Sequence, residues 1–127
     1  MAENPFGDTV ATNKNRFLVL LSAGKDNLSM TQAVVQNIKK EVDAKASPLW
    51  IDSRGIGLFV ETELVAGAVW DRALTGLDHN QSEAFKDMVV VEIGQDWMAR
   101  KDSSMTHWLA SHVGDPRIVP RDQMRRR

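Results

Sequence analysis

The chain has 127 residues, 43 % of them apolar and 26 % charged, the size and make-up of one globular domain and too short for a multidomain enzyme. It contains no cysteine, which excludes a disulfide framework, a thiolate zinc site, an iron–sulfur cluster and a cysteine nucleophile. Its formal charge of −1 conceals a split, because residues 115–127 carry five arginines against two aspartates and leave an acidic body behind a basic tail.

Residues 1–15 are polar and without apolar period, and are expected to form a flexible N-terminal arm. They show no basic start followed by an apolar stretch, and no run in the chain approaches the roughly 20 apolar residues of a membrane helix. A cytoplasmic protein without a membrane partner is therefore expected. Arg16 to Ala23 is a continuous apolar run of strand length, the pattern of a strand covered on both faces. After a turn at Gly24–Asn27, Ser29-Met-Thr-Gln32 has capping-box spacing, and Met30, Val34, Val35, Ile38 and Val42 form one helical stripe. Ala46-Ser47-Pro48 stops that helix.

Two short strands follow, Leu49–Asp52 and Ile56–Glu61, around a Ser53-Arg54-Gly55 loop that suits a hairpin. Thr62 is the expected cap of a second helix whose buried stripe is Leu64, Val65, Ala68, Val69, Arg72 and Leu74, with Gly76 as its stop. Met88-Val-Val-Val-Glu-Ile93 is the strongest strand signal in the chain. Ser103 caps a third helix with Met105, Trp108, Leu109 and Val113 on its apolar side, and Gly114-Asp115-Pro116 ends it. In the tail, Ile118-Val119 is a candidate edge strand.

The element order β-α-β-β-α-β followed by a helix is that of the split βαβ, or ferredoxin-like, α+β fold: an antiparallel sheet with an additional C-terminal helix and a basic tail. A single domain is expected over 16–114, with 115–127 as the tail. The first and fourth strands, the two most apolar, are expected at the centre of the sheet. A doubly wound parallel sheet fits less well, because the Trp50 and Phe59 segments are joined by too few residues for a parallel crossover. Two helices cover one face of such a sheet, so the other needs a cover from the third helix, the tail or a second copy. Trp50 and Phe59 point by parity away from Leu49, Ile51, Leu58 and Val60.

The apolar first strand, the Pro48-Leu49-Trp50 hairpin strand and Met88–Ile93 followed by Gly94-Gln95-Asp96-Trp97 together resemble small ferredoxin-like proteins related to the CRISPR-associated integration subunit and its uncharacterised bacterial relatives. The resemblance spans about residues 16–100 and implies a homodimer. Nuclease members of that family hold a divalent metal on an aspartate ending the first strand. Here Ser22-Ala23-Gly24 stand in that place, and the first acid is Asp26.

The residues themselves offer little catalytic chemistry. His107 and His112 are five apart, which turns them about 140° from each other on a helix, where an i, i+4 pair would converge on a metal. No phosphate-cradling glycine motif is present, and no serine has nucleophile-elbow context. Asp26, Asp52 and Asp96 are weak candidates for a metal, and the commoner expectation for Asp52, Glu61, Glu92 and Asp96 is pairing with an arginine such as Arg54 or Arg100. No cofactor is expected. Four tryptophans stand in a chain without tyrosine. Trp70 and Trp108 read as core or interface, while Trp50 and Trp97, with Phe59, are candidate contacts to a partner or second copy. Arg121, Arg125, Arg126 and Arg127 are candidate nucleic-acid contacts. The expected function is a non-enzymatic, homodimeric ferredoxin-like module acting through protein contacts, the alternative being a metal-dependent nuclease or nucleic-acid-binding protein.

Overall fold

The computed structural model describes residues 14–22, 28–51, 55–78 and 87–125, the side chains of Leu28 and Trp50 excepted. Among the described residues it shows an α+β arrangement of a four-stranded antiparallel sheet and three α-helices. In chain order these are β1 (Asn15–Ser22), α1 (Leu28–Glu41), β2 (Pro48–Ile51), β3 (Gly55–Thr62), α2 (Ala66–Ala73), β4 (Met88–Glu92) and α3 (Ser104–His112). A single 3-10 turn follows at Arg121–Gln123. Among the described residues no helix is long and apolar enough to cross a membrane.

The strands lie in the order β2-β3-β1-β4. The central pair is therefore β1 and β3, and β4 is an edge. This corrects the expectation that the first and fourth strands are central. Apolarity misled because β4 is covered on one side by the helices and contributes Val89 and Val91 to the other. Val-Val-Val thus marks a strand with two apolar faces rather than a central position.

The β1–β3 register pairs Phe17 with Val60, Val19 with Leu58 and Leu21 with Ile56. These six side chains share one face and are buried with Val34 and Ile38 of α1 and Val69 and Ala73 of α2. The predicted α1 stripe is the observed one: Val34 and Ile38 are buried, with Met30, Val35 and Val42 packed beside them. Asn37, on the α1 flank, donates through Nδ2 to the carbonyls of Ala73 and Thr75 at 2.9 and 2.8 Å. It thereby satisfies acceptors that the end of α2 leaves open and ties the two helices together. Gly76, just beyond, has φ of +82°, as expected of the stop.

Local differences have local causes. Thr62 is not the cap of α2. It pairs with Asn15 in the sheet, so its backbone is extended, and α2 begins at Ala66 with Val65 as an N-cap that makes no side-chain bond. Ser29 lies inside the first turn of α1 rather than at its cap. The arm is expected to reach residue 15, but Asn15 opens β1 and donates through Nδ2 to Leu64 O at 2.9 Å. α1 ends at Glu41, short of the predicted stop, and Asp43 turns the chain. The Asp43 carboxylate accepts from Lys45 N and, at 2.9 Å, from Glu61 N, capping β3 where β2 is too short to pair with it. Ile118-Val119 forms no strand.

Candidate binding groove

The second face of the sheet carries Leu18 and Leu20 of β1, Phe59 of β3 and Val89 and Val91 of β4, because these positions alternate with the core residues in register. The chain beyond β4 folds back over it. Ile93 N donates to Arg16 O at 2.7 Å, after which residues 93–103 run without regular secondary structure. Trp97 Nε1 donates to Gly114 O at 2.9 Å, fastening this segment to the far end of α3. The start of α3 is set by Ser103, as predicted: its Oγ accepts from Thr106 N, and Thr106 Oγ1 donates to Arg100 O at 2.6 Å. Asp102, with φ of 66°, makes the tight turn before this cap.

α3 covers part of the second face. Trp108 meets Phe59 edge to face with ring centroids 5.1 Å apart, and Leu109 is buried. Phe59, expected at a partner surface, is only 6 % exposed and is taken up by this contact. The β1 and β4 side remains open: Leu20 is 38 % exposed, Val89 41 % and Val91 42 %. Between it and the returning chain lies a groove of about 1010 Å³. Its floor is Leu18, Leu20, Phe59 and Val89, and its other wall is Ile93, Trp97, Met98, Met105 and Leu109. Among the described residues, the charged groups on its lining are Asp87 and Arg100.

Among the described residues, the remaining candidates do not assemble into a site. Asp26, Asp52, Arg126, Arg127 and the Trp50 side chain lie outside the described residues, as do Arg54 and His79. Asp96, Arg121 and Arg125 are exposed. Of the acids expected to pair with an arginine, Glu61 does so, with Arg16 at 2.9 Å, a partner other than the expected Arg54 or Arg100, while Glu92 and Asp96 are exposed. His112 stacks on Trp108 at 4.0 Å and its Nδ1 donates to Trp108 O, while His107 is exposed. Among the described residues no group of three or more histidines or acids is placed to hold a metal. Trp97 is half-buried in the groove wall, and Trp70, expected in a core or interface, is 38 % exposed on α2. Leu18, Leu20 and Met98 were not among the expected contact residues, and Met105 was expected only on the apolar side of the third helix. The signal for them was Met98 beside Trp97, apolar residues just after the Met88–Ile93 strand that needed a surface to lie on.

No protein-family model, curated protein or solved structure matches this chain.

Proposed function

We propose that this chain is a non-enzymatic interaction module of ferredoxin-like architecture, homodimeric, that acts by taking an apolar segment of a partner protein into the groove over the second sheet face. The observation that carries this reading is the groove itself. Its volume of about 1010 Å³ is at the upper end of small-ligand pockets, and among the described residues its lining carries no cluster of convergent polar groups of the kind that orients a small ligand. Two methionines on its far wall, Met98 and Met105, and a third, Met88, at the sheet side suit a surface that repacks around varied side chains. Met98 is 71 % exposed, so this wall offers apolar surface to a partner. The strand order β2-β3-β1-β4 supports the ferredoxin-like assignment.

Selection from a random peptide display library against the full chain tests the reading. Enriched peptides are expected to be apolar, to quench or shift Trp97 fluorescence, and to lose binding to a Leu20→Glu variant that stays folded. Peptides that bind the variant equally well, or no enrichment at all, would overturn it.

A further inference from the structure

The two edges of the sheet differ. β2 is four residues long, starts with Pro48, and has a register shift between Pro48 and Trp50. Short length, proline and irregularity are the devices that keep an edge from pairing with another chain. β4 has none of them. It is Met-Val-Val-Val-Glu, paired to β1 in unbroken register, with a single charge at its end.

The direction of its free backbone groups follows from two hydrogen bonds. Ile93 N donates to Arg16 O, and Ser22 N donates to Asp87 O. In an antiparallel ladder the residues bonded to the neighbour alternate with those facing away. Residues 87, 89, 91 and 93 therefore turn their amides to β1, and Met88, Val90 and Glu92 turn theirs outward. Among the described residues, no backbone hydrogen bond is made to these outward groups.

We infer that β4 is a dimerisation edge, pairing antiparallel with β4 of a second copy about a two-fold axis at Val90. This names the partner surface of the homodimer in the reading above and rests on that reading, though not on the groove. The strand is self-complementary in this register. Val90 faces Val90 of the other copy, Met88 faces Glu92, and Val89 faces Val91. About six backbone hydrogen bonds form, and no like charges stand opposite each other. Val89 and Val91, which α3 leaves half-exposed, cover each other across the axis of this dimer. Their pairing joins the apolar second faces of the two copies into one strip. The register centred on Val90 is the one that engages the whole of β4.

Light scattering of the full chain at tens of micromolar is expected to give the dimer mass. Val90→Pro removes an outward amide without touching the β1 ladder, since proline is tolerated at a sheet edge, and is expected to give a folded monomer by circular dichroism. Should proline unfold the chain, surface charges serve instead. Val89→Lys with Val91→Lys sets like charges opposite each other and is expected to give a monomer. Val89→Lys with Val91→Glu sets unlike charges opposite each other and is expected to regain the dimer. A wild-type monomer, a dimer that survives the double lysine change, or failure of the lysine–glutamate pair to dimerise would each overturn the proposal. So would a wild-type monomer that pairs with an added apolar strand peptide, which would make β4 a docking edge for a foreign chain. Leu20→Glu separates the two readings: it is expected to abolish peptide capture and leave the mass unchanged.

Discussion

Replacing Phe59 with alanine tests whether the second sheet face is a structural layer or a passive surface. Phe59 is 6 % exposed, so nearly its whole side chain is removed from water, and its ring meets Trp108 at 5.1 Å. A buried phenylalanine of roughly 170 Å² at about 25 cal/mol per Å² contributes about 4 kcal/mol, and the edge-on aromatic pair adds about 1. The groove beside it allows Trp108 and Leu109 to settle into part of the space, which lowers the cost. We expect a loss of about 3 kcal/mol, at the lower end of measured phenylalanine-to-alanine changes. For a chain of this length that corresponds to a fall in melting temperature of about 10 °C. The assay is urea unfolding followed by tryptophan fluorescence and circular dichroism, with hydrogen exchange across Ser104–His112 as a local readout. A loss below about 1 kcal/mol, with the amides of α3 still protected, would refute the claim that Phe59 holds α3 to the sheet.

Further expectations concern single contacts. Leu58→Ala, at a fully buried position in the core, is expected to cost about 3 kcal/mol in the same unfolding assay. Asn37→Ala removes both bonds to the Ala73 and Thr75 carbonyls and should cost about 1 to 2 kcal/mol, visible as early exchange of the end of α2. Trp97→Phe keeps an aromatic ring but loses the bond to Gly114 O, and should loosen residues 93–103 to proteolysis with a stability change of about 1 kcal/mol. The pure chain, incubated with DNA or RNA and magnesium or manganese, is expected to show no cleavage. Any nucleic-acid retention should weaken steeply as salt is raised from low to physiological concentration.

The layout was legible in the sequence because its signals were local. The α1 stripe from Met30 to Val42, the hairpin at 48–62 and the Ser103 cap each rest on spacing within one element. Strand order was misjudged because it depends on where a crossover lands. Three valines read as a central strand, yet they serve an edge whose two faces are both apolar. Thr62 failed as a cap for a similar reason: its tie to Asn15 lies 47 residues back in the chain, and the ladder outweighed a local preference. The candidate groove was the least legible feature. Its floor alternates with the core along β1, and its far wall is irregular backbone, whose position follows from Trp97 reaching Gly114 rather than from any periodic pattern. The acids and histidines singled out for chemistry were chosen by type alone, and the described ones, Asp96, His107 and His112, do not converge.

The central place of β1 has a consequence for synthesis. Its partners arrive from the ribosome in sequence, first β3 and then β4. Once β3 has paired, the other edge of β1 still lacks its neighbour, since residues 63 to 92 must follow before β4 is complete. At ordinary translation rates of about 5 to 20 residues per second this interval lasts on the order of seconds. For that time Arg16, Leu18, Leu20 and Ser22 present open backbone groups flanked by apolar side chains, the chemistry of a sticky strand. Neighbouring nascent chains on one polysome would carry the same open edge at the same moment. Codon usage between residues 63 and 92 thus sets how long the half-built sheet is exposed, and slow codons there should raise the insoluble fraction without altering the stability of the finished protein.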